Sequence, residues 1–134
     1  MPAGYSGTPL AKKLGYRDGE SVFVIGMPAS VKAEIAVAAK PKFTTKATAG
    51  QGSAHVFATS AKALEAELRK LRPVIALDGQ VWVSWPKRAA KVASDITEDT
   101  IRKIALPMGY VDVKVCAVDE TWSGLKLVIR KELR

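Results

Sequence analysis

The chain alternates short apolar runs with amphipathic stretches, and turn residues mark nearly every change. The clearest run is Val22 to Ile25, an unbroken apolar stretch that predicts a strand covered on both faces, as in the middle of a parallel sheet. Before it, Thr8 as cap and Pro9 as first residue mark a short helix that Gly15 ends. After it, 28–39 reads as a weakly amphipathic helix, 41–47 as a second strand, 48–53 as a loop and 55–59 as a third strand. Ser60 then caps a helix whose Leu64, Leu68 and Leu71 share one face, with Glu65 and Arg69 spaced for an i,i+4 ion pair. Asp78-Gly79 reads as a turn, and 80–85 as a fourth strand. A loop over 86–95 leads to a helix capped by Thr97, with Ile96 and Ile101 at hydrophobic-staple positions and Gly109 closing the segment. Two longer strands, 110–118 and 125–131, finish the chain as an antiparallel hairpin joined by 119–124. Val111, Val113, Val115 and Ala117 alternate there with Asp112, Lys114 and Cys116, so apolar cover falls mainly on one face.

Strands alternating with helices predict one α/β domain over 1–134: a three-layer Rossmann-like sandwich with a mostly parallel sheet of about six strands and a C-terminal antiparallel hairpin. In such a sheet, ligands bind beyond the carboxyl ends of the parallel strands. That rule gives a candidate rim of Gly26 and Pro28 after the first strand, Thr59 and Ser60 after the third, and Trp85, Lys87 and Arg88 after the fourth. Asp119, Glu120 and Trp122 in the hairpin link reach the same edge, and Tyr5 and Ser6 are placed to fold over it. Asp119 and Glu120, as neighbours on extended chain, are expected to point to opposite faces.

Composition narrows the classes. One cysteine, Cys116, excludes an intramolecular disulfide and suits a reducing compartment. The N-terminus lacks the basic start and apolar run of a signal peptide, and no apolar stretch approaches the ~20 residues of a membrane span. The expectation is a cytoplasmic protein. A formal charge of +8 favours encounters with phosphates and nucleic acid. The cations are nevertheless spread along the chain, with local clusters only at Lys87-Arg88-Ala89-Ala90-Lys91 and at Lys40, Lys42 and Lys46.

Catalytic chemistry looks thin. His55 stands alone, without the spacing of metal ligands, and is expected at the sheet edge opposite the rim. Cys116 has no base near it in sequence and reads as an inert thiol. Ser60 and Ser84 lack a histidine partner, and neither a nucleophile elbow nor a phosphate-binding glycine loop is present.

The stretches "KLGYRDGESVFVIGMP" and "LRPVIALDGQVWVSW" resemble parts of a shortened S-adenosylmethionine-dependent methyltransferase fold. The first is similar to the segment around that fold's first strand, where a glycine-rich turn receives the cofactor. The second is similar to a later helix-turn-strand, and the closing hairpin matches the reversed last strand. On that likeness one strand-helix unit is missing between 45 and 55. The resemblance also implies glycines after the first strand and an acid after the second. Here Gly26 is followed by Met27-Pro28-Ala29, and the second strand by Thr44-Thr45-Lys46. "GYSGTPLAKKLG", "WVSWPK" and "DVKVCAVDETWSGLKLV" together resemble a family of small bacterial proteins grouped as a domain of unknown function. The resulting expectation is a non-catalytic binding or interaction module on a methyltransferase-like scaffold, with no catalytic residue and no cofactor. Its rim would take a small anionic ligand or a protein partner, away from any membrane, and its hairpin would offer an edge for a homodimer. The alternatives are a nucleic-acid or nucleotide-binding protein and, behind it, a methyltransferase-like enzyme.

Overall fold

The computed structural model describes residues 7–134; Tyr5 and Ser6 fall outside them. The elements run α1 (Leu10–Leu14), β1 (Ser21–Ile25), α2 (Ala29–Ala36), β2 (Lys42–Thr44), β3 (Gln51–Phe57), α3 (Ala61–Leu71), β4 (Ile75–Pro86), α4 (Glu98–Ala105), β5 (Tyr110–Ala117) and β6 (Trp122–Ile129). The strands form one sheet in the order β2-β1-β3-β4-β6-β5. The first four are mutually parallel, and β6 lies antiparallel between β4 and β5. This is the α/β Rossmann-like sandwich with an antiparallel C-terminal pair that the alternation predicts. Among the described residues, no helix is long and apolar enough to cross a membrane.

Period-two alternation sorts the strand residues into two cores. On one face Val22, Val24, Phe57 and Trp82 pack with Leu10 and Leu14 of α1 and Val31 and Ile35 of α2. On the other, Val56, Val81, Val83 and Leu127 pack with Leu64, Leu68 and Leu71 of α3 and Ile101 of α4. The Ser60 hydroxyl caps α3 by accepting from the Ala63 amide at 3.2 Å. Thr97 and Thr100 complete a reciprocal capping box on α4, and Ile96 and Ile101 are buried in one cluster, as a staple requires. Residues 45–50 connect β2 directly to β3, where the strand-helix unit is missing.

Several boundaries differ from the sequence reading, each for a tertiary reason. Pro9 caps α1 without a side-chain bond, so the helix starts at Leu10 and Thr8 is not its cap. Residues 28–39 contain a shorter helix, with Pro28 as its N-cap, and 41–47 a strand of only Lys42–Thr44. The strand read from 55 starts at Gln51, inside the expected loop. The Gln51 amide is buried and donates to the carbonyls of Ser21 and Ser53, so a polar residue serves as interior. β4 starts at Ile75, and Asp78-Gly79 is an excursion within it rather than a turn before it. Trp122 already pairs with Pro86, so the hairpin link shrinks to 118–121. β5 breaks register between Asp112 and Lys114, which undoes the simple alternation. Asp112 pairs with Arg102 of α4, whereas Lys114 donates to the Lys13 carbonyl on the opposite face. Val113 and Val115 are left about half exposed, at 54% and 51%.

Candidate functional site

The carboxyl ends of the parallel strands gather the predicted rim, but not as one surface. Gly26 turns the chain out of β1 at φ 67°, and an added Cβ would lie 3.3 Å from the Phe57 carbonyl, so glycine lets the β1 turn pass close to β3. Pro28 caps α2, whose first turn carries no acidic residue. The Lys87 amide donates to the Thr121 carbonyl at 2.7 Å and ties the end of β4 to the hairpin tip, joining the two expected rim segments. Thr59 and Ser60 serve structure. The Thr59 carbonyl accepts from the Asp95 amide, Ser60 caps α3, and Asp95 itself accepts from the Ala61 amide at 2.7 Å. The loop after β4 therefore folds back over the end of β3. Trp85 is 8% exposed and belongs to the α3–α4 core, so it is not an open aromatic surface. Trp122 is half-buried, edge-on to Phe57 with ring centroids 5.1 Å apart.

Two cavities result. One, of about 320 Å³, opens between the first turns of α2, the start of α1 and the hairpin tip, with Ser30, Glu34, Asp119 and Glu120 among its lining. Asp119 and Glu120 share this cavity rather than pointing to opposite faces, because they sit in the tight link and not on extended strand. The Asp119 carboxylate is fixed by the amides of Thr121 and Trp122, both at 2.8 Å. Glu34, absent from the sequence-derived rim, faces the same space; its position inside a helix gave no signal. Among the described residues, Glu34 and Glu120 have no ion pair. The second cavity, of about 440 Å³, lies beside Trp85 and Lys87-Arg88. Its acids are engaged, Glu98 with Arg102 and Asp95 with the α3 amide, whereas Lys87 and Arg88 carry no ion pair among the described residues.

Beneath the rim, the α1–α2 core holds a polar chain that sequence reasoning missed. His55 Nε2 lies 2.7 Å from the Ser84 hydroxyl, and His55 Nδ1 lies 2.9 Å from the Tyr16 hydroxyl. Ser84 thus has the histidine partner it seemed to lack, and His55 sits mid-strand in β3 rather than at the far edge. All three side chains are buried, which keeps the serine from acting as a nucleophile on an outside substrate. Burial lowers the His55 value to about 3, so the ring is neutral. A neutral imidazole offers one donor and one acceptor, and each hydroxyl partner can take either role. Burial, followed by the charge of Glu20, raises Tyr16 well above the usual phenol range. Cys116 is half-buried, and burial raises its thiol against the opposing pull of Lys13, Lys114 and Lys87.

No family model and no curated protein matches the sequence. Solved structures do share the fold. An S-adenosylmethionine-dependent methyltransferase from Aquifex aeolicus superposes with a TM-score of 0.60 at 11% identity, over 90% of this chain and 88% of that one. An O-methyltransferase from neocarzinostatin biosynthesis, in complex with S-adenosylmethionine and a naphthoic acid, gives 0.58 at 14%, over 96% and 51%. Aeropyrum pernix fibrillarin with natively bound S-adenosylmethionine gives 0.52 at 11%, over 93% and 70%. Against the neocarzinostatin enzyme the chain spans about half the length. These neighbours overturn the leading expectation of a non-catalytic module without a cofactor: among the proteins sharing this layout are S-adenosylmethionine-dependent methyltransferases and a pericyclic-reaction enzyme, and several hold the methyl donor or its product. They support the methyltransferase-like alternative.

Proposed function

We propose that the chain is a small S-adenosylmethionine-dependent methyltransferase whose cofactor lies over the β1–β3 switch point. The observation that carries this reading is the strand order β2-β1-β3-β4-β6-β5 with β6 reversed, which puts the carboxyl ends of β1 and β3 side by side at the Gly26 turn. The residues present fit the cofactor in charge. Its carboxylate suits the acid-free first turn of α2, where the helix dipole is positive. Its ammonium and sulfonium suit the cavity holding Glu34, Asp119 and Glu120. Two features depart from the pattern: Gly26 is followed by Met27-Pro28-Ala29 rather than by further glycines, and Thr44, Thr45 and Lys46 follow β2 without an acid, the Thr44 hydroxyl being turned to the Lys46 carbonyl. Bound there, S-adenosylmethionine would supply an electrophilic methyl group. Glu34 and Glu120 would attract its positive charge, Asp119 would hold an oriented acceptor oxygen, and Trp122 against Phe57 would close the inner wall. An acceptor carrying negative charge suits the neighbouring cavity, where Lys87 and Arg88 have no ion pair among the described residues.

The same proposal extends to a single domain over 1–134, a cytoplasmic setting and membership of the small bacterial family that the three quoted stretches resemble. Calorimetric titration of the chain with S-adenosylmethionine and its demethylated product tests the core of it. Both should bind, and Glu34→Gln with Glu120→Gln should weaken binding of the donor by roughly tenfold or more while weakening the product, which keeps the ammonium but lacks the sulfonium charge, less. Absence of heat and of thermal stabilisation with either compound sinks the reading.

A further inference from the structure

A third cavity, of about 370 Å³, opens at the opposite edge of the sheet, where the methyltransferase reading assigns nothing. Its floor is built and polar. The Ser53 hydroxyl, 1% exposed, donates to Glu20 at 2.8 Å and accepts from the Gln80 amide at 3.1 Å; the Arg17 backbone amide donates to the other Glu20 oxygen. Its wall is an excursion of β4. Ile75 pairs with Gln51 and Gln80 with Ser53, so residues 76–79 bulge out against the single residue Gly52. Gly79 allows this because any Cβ there would meet the Gly52 carbonyl at 2.9 Å and the Ala76 carbonyl at 3.0 Å. The bulge brings Asp78 to the cavity, whose lining also includes Arg17 and Lys126. Bulges of this kind recur where a side chain is re-aimed toward a site.

The lining charges are Arg17 and Lys126 against Glu20 and Asp78, which sum to zero on a protein of net charge +8. Arg17, Lys126 and Asp78 form no ion pair among the described residues, so opposite charges face one polar space without neutralising each other. A simple anion would meet two carboxylates there, and a simple cation two bases. We infer that this cavity binds a small zwitterion of the amino-acid class, its carboxylate held by Arg17 and Lys126 and its ammonium by Asp78. The guanidinium fork supplies a paired hydrogen bond to a carboxylate, and Asp78 supplies the charge-assisted acceptor.

The test is amide NMR of the intact chain, titrated with each protein amino acid, then with the deaminated and decarboxylated analogues of the best one and with inorganic phosphate. The Gly52 and Gly79 amides should move with at least one amino acid and remain still with the analogues and phosphate at the same concentration. Asp78→Asn, at an exposed position, should keep the spectrum of the fold and weaken that amino acid about tenfold, the loss of one charge-assisted bond. Three results overturn the inference: no amino acid moves those amides, phosphate or the deaminated analogue moves them equally, or Asp78→Asn binds as well as the parent. Binding of S-adenosylmethionine at the rim is read separately from amides near Gly26, so failure of either site leaves the other measurable.

Discussion

At the scale of single residues, His55 gives the sharpest expectation. It is fully buried, is held by Tyr16 and Ser84, and has a value lowered by burial from 6.5 to about 3. Below pH 6.5 the unfolded chain takes up a proton that the folded chain refuses. This contribution to stability is therefore complete above that pH and falls as the pH drops toward 3, with a limiting slope of about 1.4 kcal/mol per pH unit. Urea unfolding of the parent and of His55→Leu across that range measures it. The variant should lose about 2–4 kcal/mol at neutral pH, because two buried hydroxyls lose their partner, and should show the shallower acid slope. Equal slopes in the two proteins would mean that the ring is charged in the folded state. Gly26 makes a second point at this scale: with φ 67° and the Phe57 carbonyl 3.3 Å from an added Cβ, it accepts no side chain without moving β1 against β3.

Elements divide into those whose ends are set by local bonds and those set by their neighbours. α4 is of the first kind. Thr97→Ala removes the hydroxyl that accepts from the Thr100 amide, and should cost about 1 kcal/mol by chemical denaturation. β4 is of the second kind. Its excursion at 76–79 depends on backbone contact with Gly52, so Gly79→Ala and Gly52→Ala should differ in kind. An alanine Cβ meets carbonyl oxygens at 2.9 and 3.0 Å at position 79 and open space at 52. We expect Gly79→Ala to cost about 1–3 kcal/mol beyond Gly52→Ala, as forced overpacking does. Similar denaturation midpoints for the two would show that the excursion relaxes freely. β5 lies at the sheet edge and breaks register at Asp112–Lys114, an irregularity common on edge strands.

For the whole molecule, two electrostatic behaviours should separate. Net charge of +8 gives a general attraction to polyanions that salt screens, whereas the proposed cofactor site would join opposite charges at short range. A thermal shift with S-adenosylmethionine, worth about 2.7 kcal/mol at a hundredfold excess over Kd, should therefore persist when added salt abolishes retention on heparin. Loss of both together would reduce the cofactor response to surface charge. How much of this was legible beforehand follows from what is local. The alternation of apolar runs with amphipathic stretches, the caps at Ser60 and Thr97 and the chain reversals at Gly15 and Gly109 determined an α/β sandwich with a closing hairpin. Hydrophobic period and capping act over a few residues, and a sequence displays them directly. Tertiary structure alone decided that Ser84 and Tyr16 meet His55 from 29 and 39 residues away. It alone brought Glu34 to Asp119 and Glu120, buried Trp85, and turned Asp78 into a cavity instead of a hairpin turn. Each of those depends on which residues stand opposite across neighbouring strands and helices, and packing of the two cores sets that register for the chain as a whole.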